Sequence, residues 1–198
     1  MTRWPDAGNE PVAVPGTVDE VALLERIAAE EVAAFETLYR LYYPRLMRFL
    51  HGVTRRSALA DEVLDDTMLV VWRKACTFDA TSKVSTWLFA IAYRQALKAL
   101  RRVDNVLAYD EREAGGVSRE DPERELQLHQ LHARIGQALD ALPPPHRAVI
   151  ELTYYHGHSC REIAQIVGCP VATVKTRMFH ARRKLRAILD SGFGREAL

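Results

Sequence analysis

The chain has 198 residues, 48% hydrophobic and 27% charged, with a formal net charge of +1. These are globular proportions, which exclude collagen-like, low-complexity and wholly disordered chains and allow one domain or two small ones. Three cysteines without a C-x-x-C pair argue against a disulfide framework or a four-cysteine zinc site, and no run of about 18 apolar residues predicts a membrane span.

Residues 1–16 hold three Pro and two Gly and read as a disordered tail. Their opening, MTRWPDAGNE, lacks the apolar core of a signal peptide, so a cytoplasmic protein is expected. T-V-D-E at Thr17–Glu20 predicts a capping box, followed by a helix with Val21, Leu24, Ile27 and Ala28 on one face. A second helix, about 31–52, spaces Phe35, Leu38, Leu41, Tyr42, Leu46 and Phe49 by three and four, with Pro44 predicting a kink or break. A third, Ala58–Ala75, turns Val63, Leu64, Thr67, Val71 and Trp72 inward and carries Asp61, Glu62, Asp65 and Asp66 in its first half. Val70, Val71 and Trp72 would leave apolar surface beside those acids, suited to a protein partner. The polar stretch Thr77–Ser85 is turn-prone, and Ser85 or Thr86 is expected to cap a fourth helix, about 86–102.

Residues 103–122 read as an acidic linker, with Gly115-Gly116 and Asp121-Pro122, and as the domain boundary. A helix over Glu123–Leu142 would bury Leu126, Leu131, Ile135 and Leu139. Pro143-Pro144-Pro145 interrupts, and His146–Tyr155 is the next helix. No alternating strand pattern occurs, so the fold is expected to be all-α, two small helical domains joined by a flexible acidic linker. Charge is segregated along the chain. Residues 1–36 carry a net −6, residues 37–103 +7, residues 104–126 −5 and residues 161–189 +6. Two basic blocks suggest two surfaces for an anionic polymer.

The most specific stretch is 159–189. Ser159-Cys160-Arg161-Glu162 is a capping box opening a short helix to about Val167. Gly168 stands where a helix C-cap needs positive φ, Pro170 blocks continuation, and a new helix starts near Val171–Ala172. Ile163, Ala164, Val167, Val174, Met178, Ala181 and Leu185 are the packing positions. Helix, short glycine turn, helix is the layout that places a second helix in the DNA major groove. Opposite the apolar stripe lie Lys175, Thr176, Phe179, His180 and Arg183, chemically suited to base edges and thymine methyls. Arg177, Arg182, Lys184 and Arg186 can reach phosphates from the flanks. His156, His158, Cys160 and Cys169 match no standard zinc spacing, and no phosphate-loop, metalloprotease, hydrolase-elbow or dinucleotide motif occurs, so no enzyme activity, metal or cofactor is expected.

The segment from Asp140 to Leu189, with A-L-P-P-P-H-R-A-V-I-E-L and S-C-R-E-I-A-Q-I-V-G-C-P-V-A-T-V-K-T-R-M-F-H-A-R-R-K-L, resembles region 4 of bacterial sigma-70-family factors, and more narrowly the extracytoplasmic-function (ECF) group. A-F-E-T-L-Y-R-L-Y-Y-P-R-L, A-D-E-V-L-D-D-T-M-L-V-V-W-R-K-A and F-D-A-T-S-K-V-S-T-W-L-F-A-I-A-Y-R resemble successive parts of region 2. The resemblance implies a region 2 domain over 17–102, the linker 103–122, a region 4 domain over 123–190 and a tail over 191–198. It implies a subunit of RNA polymerase that reads the promoter −35 element as duplex and the −10 element as single strand. Carried over by motif position, core-polymerase contacts fall on Asp61, Glu62, Asp65, Asp66 and Trp72. The −10 contacts fall on the Thr77–Trp87 loop, with Ser82, Lys83, Ser85, Thr86 and Trp87, and on Arg94, Lys98 and Arg101. Trp87 reads more readily as core than as a stacking platform. The −35 contacts fall on Lys175, Thr176, Phe179 and His180, with Arg177, Arg183 and Lys184 beside them. An inhibitory anti-sigma partner is also implied. The competing reading is a free-standing helix-turn-helix repressor or activator, which leaves the acidic helix and T-W-L-F-A-I-A-Y-R without a role.

Overall fold

A computed structural model describes residues 18–107 and 135–193, and among them every regular element is helical. The first half comprises α1 (Glu20–Ala28), α2 (Val32–Thr54), α3 (Ser57–Lys74), a single 3-10 turn at Ala75–Thr77, and α4 (Val84–Leu107). The second comprises the helical residues 135–140 (α5), α6 (Pro144–Tyr154), α7 (Cys160–Val167) and α8 (Val171–Phe193). The expected N-terminal tail, most of the expected linker, the expected helix before residue 135 and residues 194–198 lie outside the described residues, while α8 continues through 191–193, the expected start of the C-terminal tail. The described start of the linker is helical, because α4 continues to Leu107.

α1 begins at Glu20, two residues later than T-V-D-E implied. Asp19 is its cap, and its carboxylate accepts from the Val21 and Ala22 amides at 3.1 Å each. Thr17 lies outside the described residues. Glu20 accepts instead the Tyr42 hydroxyl at 2.7 Å. Tyr42 is fully buried, and burial pushes its phenol well above the ordinary range, so it stays a donor. Leu23, Leu24 and Ile27 form the inward face of α1, while Val21 and Ala28 are exposed.

α2 runs unbroken through Pro44. The ring removes one amide donor, which frees the carbonyl of Arg40 four residues back. Arg40 and Pro44 both lie on the exposed face, so the freed carbonyl is on the solvent side rather than in the core. Leu38, Tyr42, Leu46, Phe49, Leu50 and Val53 are buried beneath, against α3 and α4. α3 buries Val63, Leu64, Thr67, Met68 and Val71, and the Thr67 hydroxyl donates to the Val63 carbonyl at 2.6 Å. α4 starts at Val84, earlier than expected. The Lys83 carbonyl accepts the Trp87 amide at 3.1 Å, so Ser85 and Thr86 occupy the first turn and cap nothing.

The three prolines open α6 rather than interrupt the chain. Pro143 is the cap and Pro144 and Pro145 fill the first turn, whose amides would have no helical partner anyway. α7 carries the expected capping box: Glu162 Oε2 accepts the Ser159 amide at 2.7 Å, and Ser159 Oγ accepts the Glu162 amide at 3.3 Å. Gly168 closes α7 at φ 66°, and α8 follows from Val171. Ile163, Val174, Met178 and Ala181 are buried as expected. Ile166 joins them, and Ala164, Val167 and Leu185 are half-buried.

The two halves pack against each other. α6 packs on α2 and α7 on α4, and one continuous apolar core runs through all of them. Phe49 and Phe89, both fully buried, meet edge-on at 5.2 Å and form a platform for the loop after α6. His156 sits on Phe89 at 4.7 Å and His158 at 5.1 Å. Gly52, in the last turn of α2, is a point of close approach to α6: a Cβ there would meet the Glu151 side chain at 2.7 Å.

Candidate nucleic-acid interface

The exposed face of α8 is built by the turn before it. Gly168 and Pro170 fix where α8 starts, and Val174, Met178 and Ala181 lock it onto the core. The opposite face then presents Lys175, Thr176, Phe179, His180 and Arg183 to solvent. Phe179 is 62% exposed, a large apolar ring left in water on a polar face. His180 stands edge-on to it at 5.5 Å, and the Arg183 guanidinium lies 5.9 Å from its centroid. The Thr176 hydroxyl donates to the Ala172 carbonyl at 3.0 Å, which aims its methyl outward. Arg177 is half-buried, and Lys184 donates to the Ala141 carbonyl, so these two are partly engaged by the fold itself. Burial, together with the charges of Arg177, His180 and Lys184, lowers the pKa of His146 behind this face. A neutral His146 leaves the cationic work to the outer residues.

A second basic surface lies between α3 and α4. Trp87 packs edge-on against Phe78 at 5.5 Å and is half-buried, at once wall and core. It closes one end of a groove of about 440 Å³ that also takes Lys74, Thr77, Ile91, Arg94, Gln95 and Lys98. A neighbouring groove of about 590 Å³ continues past Arg94 and Lys98 to Arg101 and Arg102. An apolar wall with cations along the rim is the combination that holds single-stranded bases by their faces and the backbone by charge. Arg94, Lys98 and Arg101 are exposed, and Ser82 and Ser85 are half-exposed. Lys83 is exposed, but its ammonium lies 3.0 Å from Glu162 on α7. Thr86 departs from the expectation. It is 2% exposed, and its hydroxyl has no hydrogen-bond partner among the described residues, so here it reaches no outside ligand.

The acidic face of α3 is also formed. Asp61, Glu62, Asp65 and Asp66 are all exposed, and Glu62 pairs with Arg102 of α4. The apolar neighbour differs from the expectation: Val71 is buried, Val70 half-buried, and Leu69 is the exposed residue, at 46%. Trp72 is half-buried and meets Phe35 edge-on at 5.3 Å. An aromatic row on α2, Phe35, Tyr39 and Tyr43, runs beside these acids. Burial, then the charges of Asp65 and Asp61, push the Tyr39 phenol up. Of this row the sequence reading named only Phe35, as a packing residue; Tyr39 and Tyr43 were missed, and their four-residue spacing from Phe35 is the signal that could have found them.

Among the described residues no group of three His, Cys, Asp or Glu side chains gathers as a metal site, and His156 and His158 are spent on Phe89. No described helix is long and apolar enough to cross a membrane.

A compact helical protein with a solvent-facing helix-turn-helix and a separate basic, aromatic-walled groove belongs to the class of sequence-specific DNA-binding proteins. Family models narrow that class: Sigma-70 region 2 matches residues 38–106 and Sigma-70 region 4 matches residues 132–185. The ECF RNA polymerase sigma factor RpoE of Cereibacter sphaeroides is 33% identical over 170 residues, spanning 85% of this chain and 93% of its own length. The ECF sigma factor SigK of Mycobacterium ulcerans is 32% identical over 185 residues, spanning 89% and 97%. Among solved structures, the sigma factor RpoE of Bartonella quintana, solved with the anti-sigma factor NepR, shares the fold at TM-score 0.65 and 24% identity, over 79% of this chain and 96% of that one. CnrH, solved with the cytosolic domain of CnrY, does so at TM-score 0.63 and 24% identity, over 87% and 97%. The chain belongs to the ECF group of sigma-70-family RNA polymerase sigma factors.

Proposed function

We propose that this chain binds core RNA polymerase through the acidic face of α3 and directs it to promoters by reading the −35 element with α8 and the −10 element with the groove between α3 and α4. The observation that carries this reading is the α8 face, where Lys175, Thr176, Phe179 and His180, four outward residues of base-contacting chemistry, are exposed in a chain of this family. Insertion in the major groove would bring Lys175 and His180 to base edges and the Phe179 ring and Thr176 methyl to thymine methyls. Arg177, Arg183 and Lys184 would hold phosphates. On the −10 side, Arg94, Lys98 and Arg101 track the backbone, Trp87 walls the groove, Ser82 and Lys83 end the loop beside it, and Ser85 and Thr86 open α4 behind that loop. Asp61, Glu62, Asp65 and Asp66 supply charge to the polymerase contact, with Leu69, Trp72 and the Tyr39/Tyr43 row as its apolar edge. The chain acts as an initiation factor rather than an enzyme, in the cytoplasm where polymerase and chromosome meet, and control by an anti-sigma factor follows from family membership.

Replacing Asp61 and Asp66 together with Lys should abolish co-elution with core polymerase on size exclusion while the circular-dichroism helix signal stays intact. Normal run-off transcription by that variant would remove α3 from the polymerase contact. Lys175→Ala or His180→Ala should change preference at particular −35 base pairs by about 1–3 kcal/mol each. Binding measured across a promoter library would show it; a uniform loss at every sequence would make the residue a phosphate contact instead.

A further inference from the structure

The loop between the 3-10 turn and α4 is pinned at both ends. On entry, the Thr77 hydroxyl donates to the Lys74 carbonyl at 2.7 Å and the Phe78 amide to the Ala75 carbonyl at 3.1 Å. On exit, the Lys83 carbonyl takes the Trp87 amide, and the Trp87 ring meets Phe78 across the base. Asp79–Ser82 are left to set the loop's course, and Asp79, Ala80 and Thr81 are exposed.

Within that stretch the backbone adopts a costly shape. Ala80 is left-handed, at φ 55°. Its Cβ crowds the main chain there, where glycine would sit freely. The other non-glycine residues at positive φ among the described residues, Glu30 and Arg55, follow α1 and α2, where a left-handed residue is an ordinary helix stop. Ala80 stops no helix, and the 3-10 turn is already capped at Phe78. Strain of this kind persists only where its surroundings over-determine it, and it gathers at ligand-binding segments. What holds it here is Asp79. One carboxylate oxygen, Oδ1, accepts the Thr81 hydroxyl at 2.7 Å and the Thr81 amide at 3.0 Å, closing a turn around Ala80. The hydroxyl first, then the amide, hold the Asp79 carboxyl below its ordinary range, so it is charged at neutral pH. A carboxylate repels the phosphates of a nucleic acid, so its use in this loop is the turn and not the strand's backbone.

We propose that Asp79 is the positioning residue of the −10 loop: it clamps Thr81 around a left-handed Ala80 and so fixes, before DNA arrives, the course on which Ser82 and Lys83 meet the single strand. The proposal rests on the assignment of this loop to the −10 element. A loop already in shape is spared the ordering that a slack one undergoes on binding. In a slack loop only a fraction of molecules is competent, and affinity for a fitting sequence falls by that fraction.

The test reads shape and recognition separately. In the full chain, Asp79→Ala should speed hydrogen exchange at the Thr81 amide about tenfold, whereas Asp79→Asn, which keeps an acceptor in the same place, should leave it nearly unchanged. Holoenzyme reconstituted with core polymerase is then offered random single strands of about 12 nucleotides, and the retained strands are sequenced. Asp79→Ala should lower base preference about tenfold at adjacent positions, leave the salt dependence of overall binding unchanged, and be matched by no such loss in Asp79→Asn. Ala80→Gly added to Asp79→Ala should return part of the preference, because glycine takes the turn without a clamp. Unaltered exchange in Asp79→Ala overturns the clamp. Faster exchange with unaltered preference overturns its positioning role. Equal loss of preference in Asp79→Ala and Asp79→Asn, or no recovery with Ala80→Gly, overturns it in favour of a direct base contact by the carboxylate. If Ser82→Ala with Lys83→Ala changes neither preference nor salt dependence, the −10 assignment of the loop itself fails.

Discussion

Arg147→Met is expected to lower the stability of the chain by roughly 3–5 kcal/mol, the range for stripping one partner from a buried charged network. Arg147 sits where two helices end. Its Nη1 serves the Gly52 and Val53 carbonyls of the last turn of α2; its Nε donates to the Leu139 carbonyl at 3.0 Å, and its Nη2 to the Asp140 and Leu142 carbonyls at 3.1 and 2.8 Å. The last carbonyls of a helix have no partner within it and carry the negative end of its dipole. One planar cation therefore answers two helix ends at once. Burial lowers the Arg147 pKa, but the guanidinium remains charged. Methionine keeps much of the length and leaves those carbonyls dry. Arg147→Lys should recover only part of the loss, because an ammonium cannot reproduce the five-donor fork. Urea unfolding midpoints at constant slope give the comparison. A change below about 1 kcal/mol for Arg147→Met would mean that water replaces the guanidinium at these carbonyls.

Acidification from pH 7.5 to 5 should separate the two halves. His156 and His158 are held neutral, each with its pKa lowered from 6.5 to about 4, first by burial. The remaining influences on His156 are His158, Arg45 and Arg48; on His158 they are Glu162, which opposes, and Arg45 and Lys83. Once exposed, each histidine would titrate near its ordinary value. The open form then binds more protons below pH 6.5, so the closed form is fully stable above that value and loses ground as pH falls toward 4. At pH 5 the bias is about 2 kcal/mol per histidine. Glu151 acts the other way. Burial raises its pKa, so its protonation favours closure, but it supplies one proton against two. Glu162 does not interfere: burial pushes it upward, yet the Ser159 amide and Lys83 prevail and hold it low. The radius of gyration from small-angle scattering should rise on acidification, and His156→Phe with His158→Phe should remove the rise. An equal rise in that double variant would assign the acid response elsewhere.

The helix-turn-helix was legible almost to the residue because everything that builds it is local. A capping box, a positive-φ glycine and a proline lie within twelve positions, and each acts on its immediate neighbours. The α3 acids and the α8 face were legible for the same reason, as periodicity on one helix. Helix starts were read less well. The first cap is Asp19, with Glu20 taken up by a tyrosine 22 residues away, and Pro44 was tolerated because both it and Arg40, whose carbonyl it frees, lie on the exposed face. The junction between the halves escaped entirely. Its partners are about 80 to 95 residues apart, joined by an arginine, a glutamate and two histidines that a linear pattern places on ordinary surfaces. Gly52, at the expected end of the second helix, read as an ordinary helix stop, whereas the structure makes it the spot where another helix approaches.

That glycine also sets what a single replacement would disturb. Almost any side chain placed there adds bulk at that point of close approach. It should push α6 away from α2 while the outward residues of α8 keep their places.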